Sequence, residues 1–242
     1  DAFTVKSGLE GLISRGTDLR EVYRSVFENG DMPDLSAFPV LLYGIRGKAY
    51  TVFNLVPAFT SVIGVGAVPA IAAAAARGNT AELKKNINTV LKTAALISLP
   101  AACGLIAIGG RITDFLYDTE ASAVIGGEML TLYGLAALFA GFLVPLGGIL
   151  QAVDRQNAVL LNTAVGTAVK LLVNIIAVSV PKINVMGSAL GTVLCFFVIF
   201  LLDIAVLIKA VGFAPDTANV FLKPLISATF CGLVARLTVM LG

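Results

Sequence analysis

The chain is 242 residues long, 57% hydrophobic and only 13% charged, with a mean hydropathy of +0.92. Water-soluble domains of this length do not reach that balance, so the bilayer is its solvent. A net charge of +2 without a basic–aromatic patch argues against nucleic acid as a partner.

Residues 1–48 form a polar head that holds six of the 17 basic and seven of the 15 acidic residues, leaving eleven and eight for the rest. The chain opens at Asp1 with neither a methionine nor a signal-peptide pattern, and so reads as a piece of a longer protein. Leu19, Val22, Tyr23 and Val26 recur at i, i+3, i+4 and i+7, behind Thr17 and Asp18 and ahead of Gly30. That is the pattern of one amphipathic helix lying at the interface as a connector. Pro33 and Pro39 then break the chain before the membrane body, residues 49–242.

A helix needs about 20 apolar residues to cross a hydrocarbon core of roughly 30 Å. Six stretches qualify, near 49–76, 87–109, 123–150, 157–179, 185–209 and 218–241. The fold class is therefore all-α, a polytopic membrane bundle whose short polar connectors make successive helices antiparallel. Lysine and arginine accumulate on the cytoplasmic side of membrane helices. Arg77, Lys84, Lys85 and Lys92, then Arg155, then Lys209 and Lys223 flank the first, third and fifth connectors, against Arg111 and Lys182 on the other side. This bias places those three connectors inside and both ends of the chain outside.

No catalytic assembly is present: there is no histidine, no serine elbow, no glycine-rich phosphate loop and no close carboxylate pair within a span. Cys103, Cys195 and Cys231 are odd in number, sit in apolar runs and lack metal-ligand spacing, so neither a disulfide framework, a zinc site nor a cofactor is expected. What remains is polarity inside the membrane, where an ionisable group marks a pathway by default. Lys170 lies about 21 Å from the start of its span at Gln156 and is the deepest charge. Asp203, Arg236 and Glu128 lie near enough to span ends to reach the interface. Lys170 and Asp203 differ in height by over about 10 Å, too much for a direct pair. Lys170 is then left to face water, a partner from elsewhere or an anionic ligand.

Thr163, Thr167, Lys170 and Asn174, at i, i+4, i+7 and i+11, form one polar stripe on an aliphatic helix, which suggests a hydrated cavity wall. Tyr50, Asn54, Pro57, Ser61 and Gly64 share a face of the first span, and Pro57, Pro100 and Pro145 introduce three potential bends, hence gating positions. Gly134, Gly141, Gly147 and Gly148 serve close helix packing.

The run from Tyr43-Gly44 through Asn54 to Pro57, Pro69, the Arg77-Gly78-Asn79 turn, Lys84-Lys85 and Pro100 resembles the second lobe of polysaccharide transporters and lipid flippases. The likeness continues through Leu150-Gln151-Ala152, Gln156-Asn157, Gly166, Lys170, Asn174, Met186-Gly187-Ser188-Ala189 and Lys223-Pro224. These belong to the multidrug/oligosaccharidyl-lipid/polysaccharide (MOP) exporter superfamily, and the resemblance is to its stage V sporulation protein B group, related to the lipid II flippase. It implies about fourteen helices in two bundles, of which this chain holds most of the second, with an N-terminal lobe of the same transporter as its partner. It also implies alternating access that moves an anionic lipid-linked saccharide across the bacterial cytoplasmic membrane. Lys170 and Arg46 would then contact the pyrophosphate, Asn54 and Asn174 would supply hydrogen bonds, and Pro57 a bend. The rival readings are a cation-coupled multidrug exporter, with Asp203 as coupling residue, and a non-transporting scaffold for cell-envelope synthesis.

Overall fold

A computed structural model describes residues 2–27, 32–117 and 120–241, with helices and no strand among them. Two short helices lead, α1 (Ala2–Ser14) and α2 (Leu19–Val22). Six long ones follow: α3 (Phe38–Ala76), α4 (Thr80–Leu116), α5 (Glu120–Ala152), α6 (Gln156–Val178), α7 (Met186–Val211) and α8 (Lys223–Leu241), the last entered through a π-helical turn, Ala218–Leu222. All six are long and apolar enough to cross a membrane. A helix satisfies its backbone hydrogen bonds internally, which is the condition for standing in hydrocarbon.

The helix boundaries follow local chemistry. Pro39 falls in the first turn of α3, where a missing N–H costs nothing, so the helix starts at Phe38 rather than at 49 and carries Arg46 two turns inside it. Proline there opens a helix; it does not separate head from membrane body. Gly78, at φ +63°, reverses the chain. Asn79 then caps α4 by accepting from the Glu82 N–H at 3.1 Å, while Arg77 pairs with the Glu82 carboxylate at 2.8 Å. Gly212, at φ +77°, closes α7.

The expected bends take a different form. α3, α4 and α5 run on as helix through Pro57, Pro100 and Pro145, and α4 leaves helical dihedrals at Ile108 (φ −128°, ψ 18°), two turns past Pro100. The break at Ile108 lets Gly109 and Gly110 meet α5. A Cβ on Gly127 would stand 2.6 Å from the Gly110 Cα, closer than any side chain is accepted.

α5 is the central element, packed against α3, α4 and α7. Gly127, Gly134, Gly141 and Gly148 repeat every seven residues along it. The first three face Gly110, Ile106 and Ser98 of α4 in turn, and Gly148 abuts the backbone of Gly64 in α3. Small residues at this spacing let backbones approach closely, which is how membrane helices associate without a hydrophobic driving force. α6 rests on α7, and α8 on α4, while α3 and α6 flank a side of the bundle that, among the described residues, α1 packs against.

The head differs from the single amphipathic helix expected at 19–26. Asp18 caps only the four-residue α2, accepting from the Arg20 N–H at 2.9 Å, and a 3₁₀ turn at Arg24–Val26 follows. The expected closure at Gly30 lies outside the described residues. The longer helix is α1, whose Val5, Leu9 and Leu12 are buried against α3 and α6, with Gly8 pressed onto Val178. The Tyr23 ring stacks on Phe38 at 6.1 Å and its hydroxyl donates to the Asn184 side chain in the α6–α7 turn, which ties the head to the membrane body.

Candidate functional site, a cationic cleft between α3 and α6

The side of the bundle between α3 and α6, against which α1 packs, is a cleft walled by those two helices and floored by aromatic rings. Phe53 of α3 stacks on Phe196 of α7 at 5.8 Å, and Tyr133 of α5 meets Tyr50 edge-on at 5.5 Å. On α3, Tyr43, Arg46, Tyr50 and Asn54 stand at i, i+3, i+7 and i+11 and therefore share one face. Cations and rings alternate along it. The Lys6 ammonium of α1 lies 5.4 Å from the Tyr43 ring centre, the Arg46 guanidinium 5.6 Å from both Tyr43 and Tyr50, and the Lys170 ammonium of α6 5.7 Å from Tyr50. Rings hold cations by their quadrupole and bring no formal negative charge of their own. Arg46 is only 4% exposed, and its Nε donates to the Ser188 hydroxyl of α7 at 3.1 Å, which fixes the guanidinium plane. Farther along the cleft, a cavity of about 620 Å³ opens between α3, α5 and α6, lined by Gly64, Val68, Gln151, Val159 and Thr163 among others.

The structure brings Arg46 and Lys170 to the same ring, and Asn54, exposed, follows one turn beyond Tyr50. Thr163 and Thr167 are exposed on α6 as a cavity wall requires. Asn174 departs from that stripe. It is fully buried against α7, where a Cβ on Gly191 would collide with its amide, so it sets the α6–α7 approach rather than lining the opening. Pro57 is half-buried one turn past Phe53, and Pro145 packs against Gly64 beside the cavity. Pro100 lies on α4, which does not border the cleft.

Asp203 also differs from expectation. Rather than reaching the interface it is 1% exposed, and its carboxylate accepts from the Asn162 amide of α6 at 2.8 Å. Its distance from the helix end suggested snorkelling, but a short acidic side chain aimed at a neighbouring helix finds its hydrogen-bond donor there instead. Glu128 and Arg236 are exposed.

Sequence reasoning missed Lys6, Tyr133 and Ser188 as parts of the site, and with them the pairing of Tyr43 and Tyr50 with cations. The period of Tyr43, Arg46, Tyr50 and Asn54 was a readable signal once α3 is allowed to start at Phe38. The approach of Lys6 depends on how α1 docks and has no local signature.

A family model described as lipid II flippase MurJ matches residues 55–241, which includes Lys170 and leaves Arg46, Tyr50 and Asn54 just ahead of the match. A lipid II flippase MurJ of Bacillus subtilis (strain 168) is 24% identical over 158 residues, covering 64% of this chain and 28% of the relative. The chain thus matches little more than a quarter of that relative's length. No solved structure matches the chain. Six apolar helices and a family match running from within α3 to the end of α8 make this a multi-pass cell-membrane protein that belongs to the lipid II flippase MurJ family.

Proposed function

We propose that this chain forms one wall of the translocation path of a flippase for a lipid-linked saccharide, with Arg46 and Lys170 engaging the pyrophosphate across the α3–α6 cleft. The observation that carries the reading is Tyr50, which has a cation from each wall within 5.7 Å of its ring centre. Two like charges held around one ring repel each other, and a multiply charged anion between them offsets that repulsion while the membrane excludes competing salt. Asn54 and the threonines of α6 supply hydrogen bonds to the sugar side of the headgroup. The family relationship supports a lipid-linked precursor as cargo, and an N-terminal lobe opposite the cleft would complete the cavity. Alternating access then consists of the two bundles rocking around a fixed anion site, with cationic walls in contact with the pyrophosphate in both states.

The test is binding of a lipid-linked disaccharide pyrophosphate to the purified protein in nanodiscs, together with rescue of a flippase-deficient strain by the protein that carries this chain. Arg46→Ala or Lys170→Ala should weaken binding by about 10- to 100-fold, as for loss of a charge-assisted contact, and should abolish rescue. Full rescue by either variant, with helix content intact, would argue against the assignment.

The cation-coupled exporter gains one specific observation, the burial of Asp203 on Asn162 between two spans. Dye efflux that depends on a sodium or proton gradient, and is lost in Asp203→Asn, would favour it over the flippase.

A further inference from the structure

On the far side of α7 from the cleft, a second cavity of about 430 Å³ lies between α4, α5, α7 and the start of α8. Its size falls within the roughly 300–1,000 Å³ of small-molecule sites. The walls are almost entirely hydrocarbon: Leu99 from α4, Phe139 and Phe142 from α5, Phe200 and Ile204 from α7, and Phe221 from the π-helical turn. At the α7–α8 connector, Ile208, Ala214, Pro215 and Thr217 also line it.

Lysines gather at that connector. Lys209 follows Ile208 directly, and Lys223 follows the π-helical turn, its ammonium donating to the Asn219 side chain at 2.6 Å. Across from them, Lys84, Asn88 and Lys92 stand at i, i+4 and i+8 on α4, on the same side of the helix as Leu99, within about 80° of one another. Two contacts place this stripe against the connector. The Lys84 ammonium lies 5.7 Å from the Phe213 ring centre, and the Asn88 side chain accepts from the Asp216 N–H at 3.1 Å. All four lysines are exposed. The nearby acids are already engaged, Asp216 by the backbone and side chain of Asn219 and Glu82 by Arg77. An apolar pocket beside a connector that four exposed lysines flank matches one class of molecule in a membrane, an amphiphile with a fatty tail and an anionic head.

We infer that this pocket is a binding site for an anionic phospholipid of the bilayer, one acyl chain lying against the packed rings of Phe142, Phe200 and Phe221 and the phosphate lying among Lys84, Lys92, Lys209 and Lys223. The site is independent of the α3–α6 cleft, since no residue lines both. A lipid held there bridges α4, α7 and α8, so it acts on the attachment of α8 to the bundle.

The experiment is titration of the delipidated, detergent-purified chain with phosphatidylglycerol and with phosphatidylcholine of the same acyl chains, bound lipids being counted by native mass spectrometry. Phosphatidylglycerol should bind about tenfold or more tightly than phosphatidylcholine. Replacing all four lysines by alanine should remove that preference, and replacing them by arginine should retain it. Ile208→Trp, at an exposed lining position, should weaken both lipids by narrowing the entry. Glycerol phosphate, which has the head without the tail, should not displace bound phosphatidylglycerol. The inference is overturned if the unaltered chain does not discriminate between the lipids, if the four-alanine variant still discriminates, or if glycerol phosphate competes as well as the lipid does.

Discussion

Tyr50 is the residue on which the proposed site turns, because its ring is shared by cations arriving from two helices. A ring does this through its face, and the hydroxyl is not needed for it. Tyr50→Phe should therefore leave binding of the pyrophosphate lipid close to unchanged. Tyr50→Leu removes the quadrupole and should weaken binding by about 2- to 30-fold, the range of one cation–π contact from exposed to desolvated. Isothermal titration of both variants against the same lipid decides the matter, and equal losses in both would point to the hydroxyl instead. Arg46 was accessible to sequence reasoning as a basic residue ahead of the first span. Its burial was not, since it depends on Ser188 from a helix far along the chain. The same holds for Asp203, whose distance from a helix end says nothing about the amide waiting on α6. Depth is a one-dimensional quantity, whereas partners are set by how helices face one another.

At the scale of elements, the six membrane helices were legible because hydrocarbon imposes length and apolarity on any segment that crosses it. The head was not, because its short helices are defined by docking: Val5, Leu9 and Leu12 form a modest stripe that becomes decisive only where α3 and α6 receive it. The glycine repeat of α5 makes a sharp prediction. Gly127→Val puts side-chain atoms into the Gly110 backbone, and neither backbone can yield without separating α4 from α5. It should destabilise the bundle by about 1–3 kcal/mol, the usual cost of overpacking. Gly104→Ala on α4, where nothing lies within 4 Å, should be neutral or slightly stabilising. Thermal denaturation in micelles, followed by helix content, separates the two. The head makes another prediction through Tyr23, whose hydroxyl is pushed well above its ordinary value of 10.0, chiefly by burial. Burial favours the neutral phenol in the folded chain, so the stability carried by the buried, protonated Tyr23 is complete below pH 10 and falls as pH rises through that value towards the raised one. Protease cleavage between α2 and α3 should accelerate above pH 10 in the native chain, and Tyr23→Phe should flatten that rise while raising cleavage by a similar factor at neutral pH.

For the whole molecule, the defining asymmetry is between a side of α3 and α6 that carries polar residues and the remaining surface, where large apolar side chains such as Val62, Leu172 and Phe230 stand exposed to lipid. If the α3–α6 cleft is wet, thiols placed along it ionise and react, whereas thiols facing acyl chains do not, because the reactive species is the thiolate. Native Cys231 is exposed, so the comparison starts from a Cys231→Ser background. In that background Asn54→Cys and Thr167→Cys should be labelled by a membrane-impermeant maleimide in intact vesicles, and Val62→Cys and Leu172→Cys should not. Saturating pyrophosphate lipid should protect Asn54→Cys, which lies one turn from Tyr50, more than Thr167→Cys. Equal labelling at positions 167 and 172 would mean that α6 is bathed alike on both faces and that no hydrated wall distinguishes Lys170 from its aliphatic neighbours. Labelling confined to 54 and 167 would instead show that water follows the polar stripe into the bundle, which a charged headgroup requires before it can leave one face of the membrane for the other.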